Sequence, residues 1–332
     1  MKSKRPVKDK LALSVRFPKY VGYADYFLRT PVSVLVKNES AEEVSVRVLS
    51  ESTEGLIVPF EAAADIPFES SVELNADAIF SPPFLAENDE MRECTVETSA
   101  WIEDAEVCRD KTKVTVLPYD WWGGLSGNAE FLASFVRPKL ADCARVLSDA
   151  GQRLKKWKVD ADFYGYAGTD KNAVRLIAAA IYASVKQLAV EKTCETDLTA
   201  PVSVVAESVA KTRKASTVQL AVFTAACLEA ARLHPVLAVG PNGVGVGVWL
   251  YDSCFLDSVT DDAEIVSKYI SEGINNLSFF DADDLFMNRN FAFTPSEQHF
   301  AQKLKEGYFE YFVDIRRCRM GNIHSLPLRG KG

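Results

Sequence analysis

Histidine is scarce in this chain: three residues, at positions 234, 299 and 324, serve a length of 332. The seven cysteines, at 94, 108, 143, 194, 227, 254 and 318, are odd in number, scattered, and never spaced as C-x-x-C. That pattern excludes a disulfide framework and a paired zinc site, and reduced thiols fit it best. No apolar run approaches the roughly 18 residues that span a bilayer. The basic start Met1 to Lys10 leads into Leu11-Ala12-Leu13-Ser14-Val15-Arg16, not into the apolar core of a secretion signal. A cytoplasmic chain without a membrane span is the expectation. EF-hand spacing and Glu-x-x-His elements are also missing, so Asp257, Asp261, Asp262, Asp281, Asp283 and Asp284 read as a solvated acidic loop. No metal and no cofactor are expected.

What remains is the composition of an ordinary globular protein, with 48% apolar and 25% charged residues. A domain of about 100 to 200 residues is the common size, so this length predicts two. The formal charge of -8 argues against a general polyanion-binding surface. Arg316, Arg317, Arg319, Arg329 and Lys331 are a local exception near the end of the chain. They make nucleic-acid contact through a basic tail a minor alternative, beside the simpler reading of solvated charge.

From Leu11 to Leu117 short alternating runs are separated by turn residues, which predicts an all-β sandwich over residues 1–117. Val32-Ser33-Val34-Leu35-Val36 and Val44-Ser45-Val46-Arg47-Val48-Leu49 read as a hairpin. Val72 to Leu74, Cys94 to Ile102 and Lys113 to Leu117 supply further strands, with prolines at 59, 67, 82 and 83 left to connections or edges. An immunoglobulin-like sandwich is the fold expected of this half.

Residues 118–124 form an aromatic connector, in which Trp121 and Trp122 are candidates for a partner-binding patch or, more plainly, a packed latch. Helical periodicity follows. Thr169-Asp170 can cap a helix carrying Val174, Ile177, Ile181, Tyr182, Val185 and Leu188 on one face. Ser216 to Ala231 is apolar nearly all round and should lie at a domain centre. Val236 to Val239, the turn Gly240-Pro241-Asn242-Gly243 and Val244 to Tyr251 read as a hairpin. Its glycines are not a phosphate loop, because no helix follows them.

Several motifs occur in a telling order. They are Leu117-Pro118-Tyr119-Asp120 with Trp122-Gly123-Gly124, Phe135-Val136-Arg137-Pro138, Gly165-Tyr166, Ala179-Ala180-Ile181-Tyr182, Leu220 to Glu229, Leu233-His234-Pro235, Gly247-Val248-Trp249-Leu250 and Asp314-Ile315-Arg316-Arg317. The order resembles a bacterial branch of the transglutaminase-like, papain-related fold. In that branch a β-sandwich and a transglutaminase-like domain form the N-terminal module of large superfamily-one helicase and nuclease proteins. The resemblance implies an α+β chain: a sandwich over 1–117, then a transglutaminase-like domain over 125–332.

The resemblance also implies a catalytic cysteine at the mouth of the central helix and a histidine on the hairpin. Here Thr217 stands at the first position and Gly243 at the second, while Asp281 matches the acidic third member. An orienting acid without a histidine has nothing to orient. The family comparison therefore implies a pseudoenzyme that holds a protein partner, such as a helicase or nuclease subunit, in bacterial anti-phage defence or nucleic-acid processing. Trp121, Trp122, Arg316, Arg317 and Arg319 are the interaction candidates. The alternative is a divergent acyl hydrolase or transferase using Thr217, Ser216 or Cys254 with a base from elsewhere. Cys227, about three turns into the apolar helix, reads as core.

Overall fold

The computed structural model describes residues 10–27, 30–157, 163, 165–166, 170–193, 197–205, 209–287 and 292–327. Thr169, Cys194, Arg329 and Lys331 lie outside the described residues. The chain is of mixed α+β class and divides into two compact units, Met1–Tyr119 and Asp120–Gly332. Pro118 and Tyr119 of the aromatic connector thus belong to the first unit, where the Tyr119 N–H donates to Asn88 O at 2.9 Å. Asp120, Trp121 and Trp122 belong to the second.

The first unit contains β1 (Leu11–Arg16), β2 (Tyr20–Val21), β3 (Thr30–Asn38), β4 (Val44–Ser52), β5 (Phe60–Ile66), β6 (Ser70–Ala78), α1 (Pro82–Ala86), β7 (Arg92–Ile102) and β8 (Ala105–Val116). One sheet has the order β1-β3-β6 and the other β2-β8-β7-β4-β5. Alternation works as the sequence suggests: β4 buries Val44, Val46 and Val48 while Ser45 and Arg47 stay exposed. Val32, Val34 and Val36 of β3 join those valines, together with Val96 and Val114, in one apolar core.

The expected hairpin between Val32–Val36 and Val44–Leu49 does not form. β3 pairs with β1 and β6, and β4 with β5 and β7, so the chain changes sheet between them. Alternation fixes which face of a strand is buried but not which neighbour it takes. Asn38 holds the crossing, its buried amide donating to the carbonyls of Glu42, Ile66 and Pro67.

The second unit begins with β9 (Trp121–Trp122), α2 (Ala141–Lys156), α3 (Lys171–Gln187), β10 (Glu191–Lys192), β11 (Val202–Ser203), α4 (Val209–Thr212) and β12 (Lys214–Ala215). It continues with α5 (Thr217–Ala230), β13 (Pro235–Gly240), β14 (Gly243–Trp249), β15 (Val259–Thr260), α6 (Ala263–Ile270), β16 (Leu277–Asp281), α7 (Phe293–Lys305), β17 (Tyr311–Asp314) and α8 (Ile315–Met320). The main sheet has the order β15-β17-β13-β14-β16. Helix α5 packs on β13 and β14 and on α2 and α3, which is why it is apolar on every side.

β13 and β14 form the antiparallel hairpin, closed by a two-residue turn between Gly240 and Gly243. The glycines of β14 have a packing cause. A Cβ on Gly247 would sit 2.4 Å from the ring of Phe279, its cross-strand partner, and one on Gly245 would sit 2.4 Å from Phe300. Phe279 and Phe300 are stacked with centroids 4.4 Å apart. The bare backbone of β14 is the floor on which this stack rests.

Candidate functional site

Ser216 ends an extended stretch and caps α5. Its hydroxyl accepts from the Gln219 N–H while the Gln219 carboxamide accepts from the Ser216 N–H at 2.9 Å. This reciprocal pair is a capping box, so Gln219 serves the helix end. Thr217 is the first residue of the helix, and its hydroxyl donates to Asp283 Oδ1 at 2.8 Å.

Asp283 lies in the short 3-10 turn Ala282–Phe286 that follows β16. Lys192 of β10 reaches its Oδ1 at 3.0 Å, and Lys303 of α7 reaches its Oδ2 at 3.2 Å. Lys303 also pairs with Asp281 at 2.5 Å, and Asp281 accepts the Asp283 N–H at 2.9 Å. The result is an alternating chain of two ammonium groups and two carboxylates beside the Thr217 hydroxyl. Burial pushes the Asp283 carboxyl up, but the Thr217 hydroxyl and the two lysines outweigh it and hold the group below its ordinary value. Burial dominates at Asp281 and raises it. Burial lowers Lys303, yet its two acidic partners prevail and raise it, so it stays an ammonium.

A cleft of about 420 Å³ opens here, lined by Thr217, Val218, Asn242, Gly243, Asp283 and Tyr308 among others. No histidine or cysteine belongs to its lining among the described residues. At Gly243 an added Cβ would meet the Phe309 ring at 3.1 Å. Asp281 stands opposite Gly245 in the β14–β16 ladder and is 1% exposed. The structure therefore brings Thr217, Gly243, Asp281 and Asp283 to one end of α5.

The reading of the acidic residues as a solvated loop is corrected for part of the set. Asp281 and Asp284 are buried, because Lys303 pairs with the first and His299 Nδ1 faces the second at 3.2 Å. Asp262 caps α6. No group of three or more residues fit to hold a metal ion occurs among the described residues. Lys186, also buried, donates to the Asp284 and Met287 carbonyls, and burial holds it at about 8.

The other nucleophile and base candidates are engaged elsewhere. The His234 ring has Nδ1 at 3.1 Å from Ser253 O, and Nε2 at 2.6 Å from Arg316 Nη1. A neutral ring donating from Nδ1 and accepting at Nε2 satisfies both contacts. Burial, then Arg316, keeps its pKa below the ordinary value. Burial pushes the Cys254 thiol up, as does Asp314, despite Arg316 and Arg317 nearby. Cys227 is fully buried in α5 and burial raises it well above the ordinary thiol value.

Two interaction candidates are corrected. Trp122 is 1% exposed, its indole donating to Asn128 O at 3.1 Å while β9 pairs with β11. Arg319 directs its guanidinium to both oxygens of Glu229 and to the carbonyls of Ala133, Val136 and Ile323, which uses all five of its N–H donors. Both residues hold the fold. Trp121 and Arg317 are half-buried, and Arg316 is tied to His234 and Asp252. The sequence reading missed Asp283 as the partner of Thr217, and Lys192 and Lys303 as partners of Asp283. Nothing in their spacing signals it, because they come from three separate elements. The Ser216-x-x-Gln219 box was available as a signal.

No protein-family model matches the chain, and no curated protein matches it. Among solved structures, the exo-chitosanase CsxA of Amycolatopsis orientalis is similar at 16% identity and TM-score 0.26, covering 37% of this chain. The chain spans 14% of that protein's length. The PapD-like domain 7 of human CEP192 is similar at 6% identity and TM-score 0.23, covering 36% of this chain and 91% of its own. The YadV chaperone is similar at 15% identity and TM-score 0.22, covering 37% of this chain and 57% of its own. Likenesses this low carry nothing about function. No described helix is long and apolar enough to cross a membrane.

Proposed function

We propose that the chain is a non-catalytic transglutaminase-like scaffold, preceded by an immunoglobulin-like sandwich, that works by holding a protein partner. One observation carries the reading: the Thr217 hydroxyl is bonded to a carboxylate that two ammonium groups already neutralise, in a cleft without histidine. A hydroxyl nucleophile needs a base able to take its proton. A carboxylate held below its ordinary pKa is a weak one. Loss of a triad nucleophile costs on the order of 10⁶ in turnover, and here nucleophile and base are both replaced. The central apolar helix, the hairpin after it and the acid at the end of β16, which pairs with that hairpin, support the transglutaminase-like assignment. From the motif order we infer a partner in bacterial defence or nucleic-acid processing, a helicase or nuclease subunit.

A second reading has one geometric point in its favour, since Thr217 donates to an acid at 2.8 Å in an open cleft. It is a threonine acyl hydrolase with Asp283 as base. Hydrolysis of p-nitrophenyl acetate by the full chain and by Thr217→Ala separates the two. The scaffold reading expects equal background rates and unchanged biological activity in the variant. A rate that disappears with Thr217→Ala while the fold persists overturns it.

A further inference from the structure

We propose that the open flank of β4 in the first unit is a docking site for an extended, basic segment of a partner protein. The proposal rests on the scaffold reading for the existence of a partner, and adds the surface and the partner's chemistry. β4 pairs with β5 from Val44 to Ser50, but with β7 only from Arg47 onward. β7 ends at Ile102 and turns through Glu103, at φ 51°, into β8. Over Val44–Val46, β4 therefore has a strand on one flank and none on the other among the described residues. Alternate residues of a strand direct their backbone N–H and C=O groups to opposite flanks, so this stretch presents pairing groups with no ladder partner.

A groove of about 1130 Å³ lies there, lined by Glu42 and Glu43 just before β4, by Val44 to Arg47 of β4, by Ala63 to Asp65 of β5, by Trp101 and Ile102 of β7 and by Glu103 beyond it. An added strand of three to five residues, at about 3.3 Å each, matches the unpaired stretch. Its backbone would supply affinity through the ladder, and its side chains would supply selectivity.

The charge of the rim selects the occupant. Glu42, Glu43, Asp65 and Glu103 line the groove and are exposed. Arg47 is the sole cation of the lining among the described residues, and it is already committed, 5.8 Å above the Trp101 ring and 3.7 Å from Glu61. A basic segment is attracted to this rim. A second copy docking β4 against β4 would bring the same acids together and be repelled.

The test uses the full chain and a fluorescein-labelled Lys-Val-Arg-Val-Lys-Val peptide, followed by anisotropy at low and physiological salt. Binding should saturate and weaken about tenfold in the Glu43→Lys, Glu103→Lys double variant, whose exposed sites leave the circular dichroism unchanged. N-methylation of the peptide's central backbone should weaken it comparably, since that removes ladder donors without altering charge. Absence of saturable binding overturns the proposal, as does equal binding by the charge-reversed chain or the N-methylated peptide. A chain–chain dimer in sedimentation that Glu43→Lys dissolves would also overturn it, by giving the flank to a second copy. Thr217→Ala should leave peptide binding untouched. An acyl hydrolase found at Thr217 would thus remove the scaffold reading, whereas loss of peptide binding removes only this one.

Discussion

The indole N–H of Trp249 donates to the carboxylate of Asp314 at 2.8 Å, joining residues 65 positions apart in the chain. The same Asp314 oxygen accepts the Phe255 N–H at 2.9 Å, and the other oxygen caps α8 through the Arg317 N–H at 2.9 Å. Asp314 is fully buried, and burial raises its carboxyl above the ordinary value. One side chain thus fixes the end of β14, the loop after it and the start of the last described helix.

Asp314→Asn keeps the size but loses one acceptor, leaving a buried N–H without a partner. The expected loss is about 1–3 kcal/mol, read as a lower urea midpoint for the second unit at unchanged slope. Asp314→Ala should cost more, because all three donors lose their acceptor.

Gly247→Ala places a methyl group against the Phe279 ring at a distance no real Cβ adopts. Phe279 is itself stacked on Phe300, so the ring has no free direction to retreat. Overpacking should cost about 1–3 kcal/mol, measured by thermal or urea unfolding. If Gly247→Ala is neutral, the stack does not rest on β14 as described.

At the cleft, Asp283→Asn removes the partner shared by Thr217, Lys192 and Lys303. Lys303 keeps Asp281, so the fold should persist with a loss of about 1–2 kcal/mol, after discounting half-exposed groups for solvent screening. The contribution of Asp283 is present above the ordinary carboxyl pKa and fades as pH falls through its depressed folded value. The stability difference between native chain and variant should therefore shrink below about pH 4, within reach of acid-titrated unfolding.

Asp25 gives the opposite sign. It is buried in the first unit, and burial lifts its carboxyl to about 7 even though it accepts the Gly22 N–H at 2.8 Å. The unfolded chain ionises first, so stability falls as pH rises from about 4 to 7 and levels off above. Asp25→Asn retains an acceptor oxygen and cannot ionise. It should be the more stable form at pH 8, by up to about 4 kcal/mol at 1.36 kcal/mol per pKa unit, and lose that advantage at pH 4. Melting temperatures of the two chains across this range check it.

What the sequence disclosed follows from how far each signal reaches. The all-round apolarity of α5 and the turn Pro241-Asn242 are local, and the structure has the helix and hairpin where they point. Alternation showed which face of β3 and β4 is buried, yet it carries no information on partner choice, so their separate sheets were invisible. Aromatic content at Trp121-Trp122 left a partner patch open beside the plainer packed latch, and the strand that covers Trp122, β11, comes eighty residues on. Thr217, Lys192 and Lys303 converge on Asp283 only after β10, the turn past β16 and α7 have docked. Acidic side chains in one stretch look solvated until the cations that bury them are known.

Gly243 bears on what the cleft can accommodate at its rim. A Cβ there would lie 3.1 Å from Phe309, whose ring is stacked on Phe300 at 4.7 Å between centroids. Any side chain placed at Gly243 therefore needs the Phe309 ring to give by a few tenths of an ångström. Because that ring is stacked on Phe300, the room at this corner of the cleft is governed by the aromatic column beneath it.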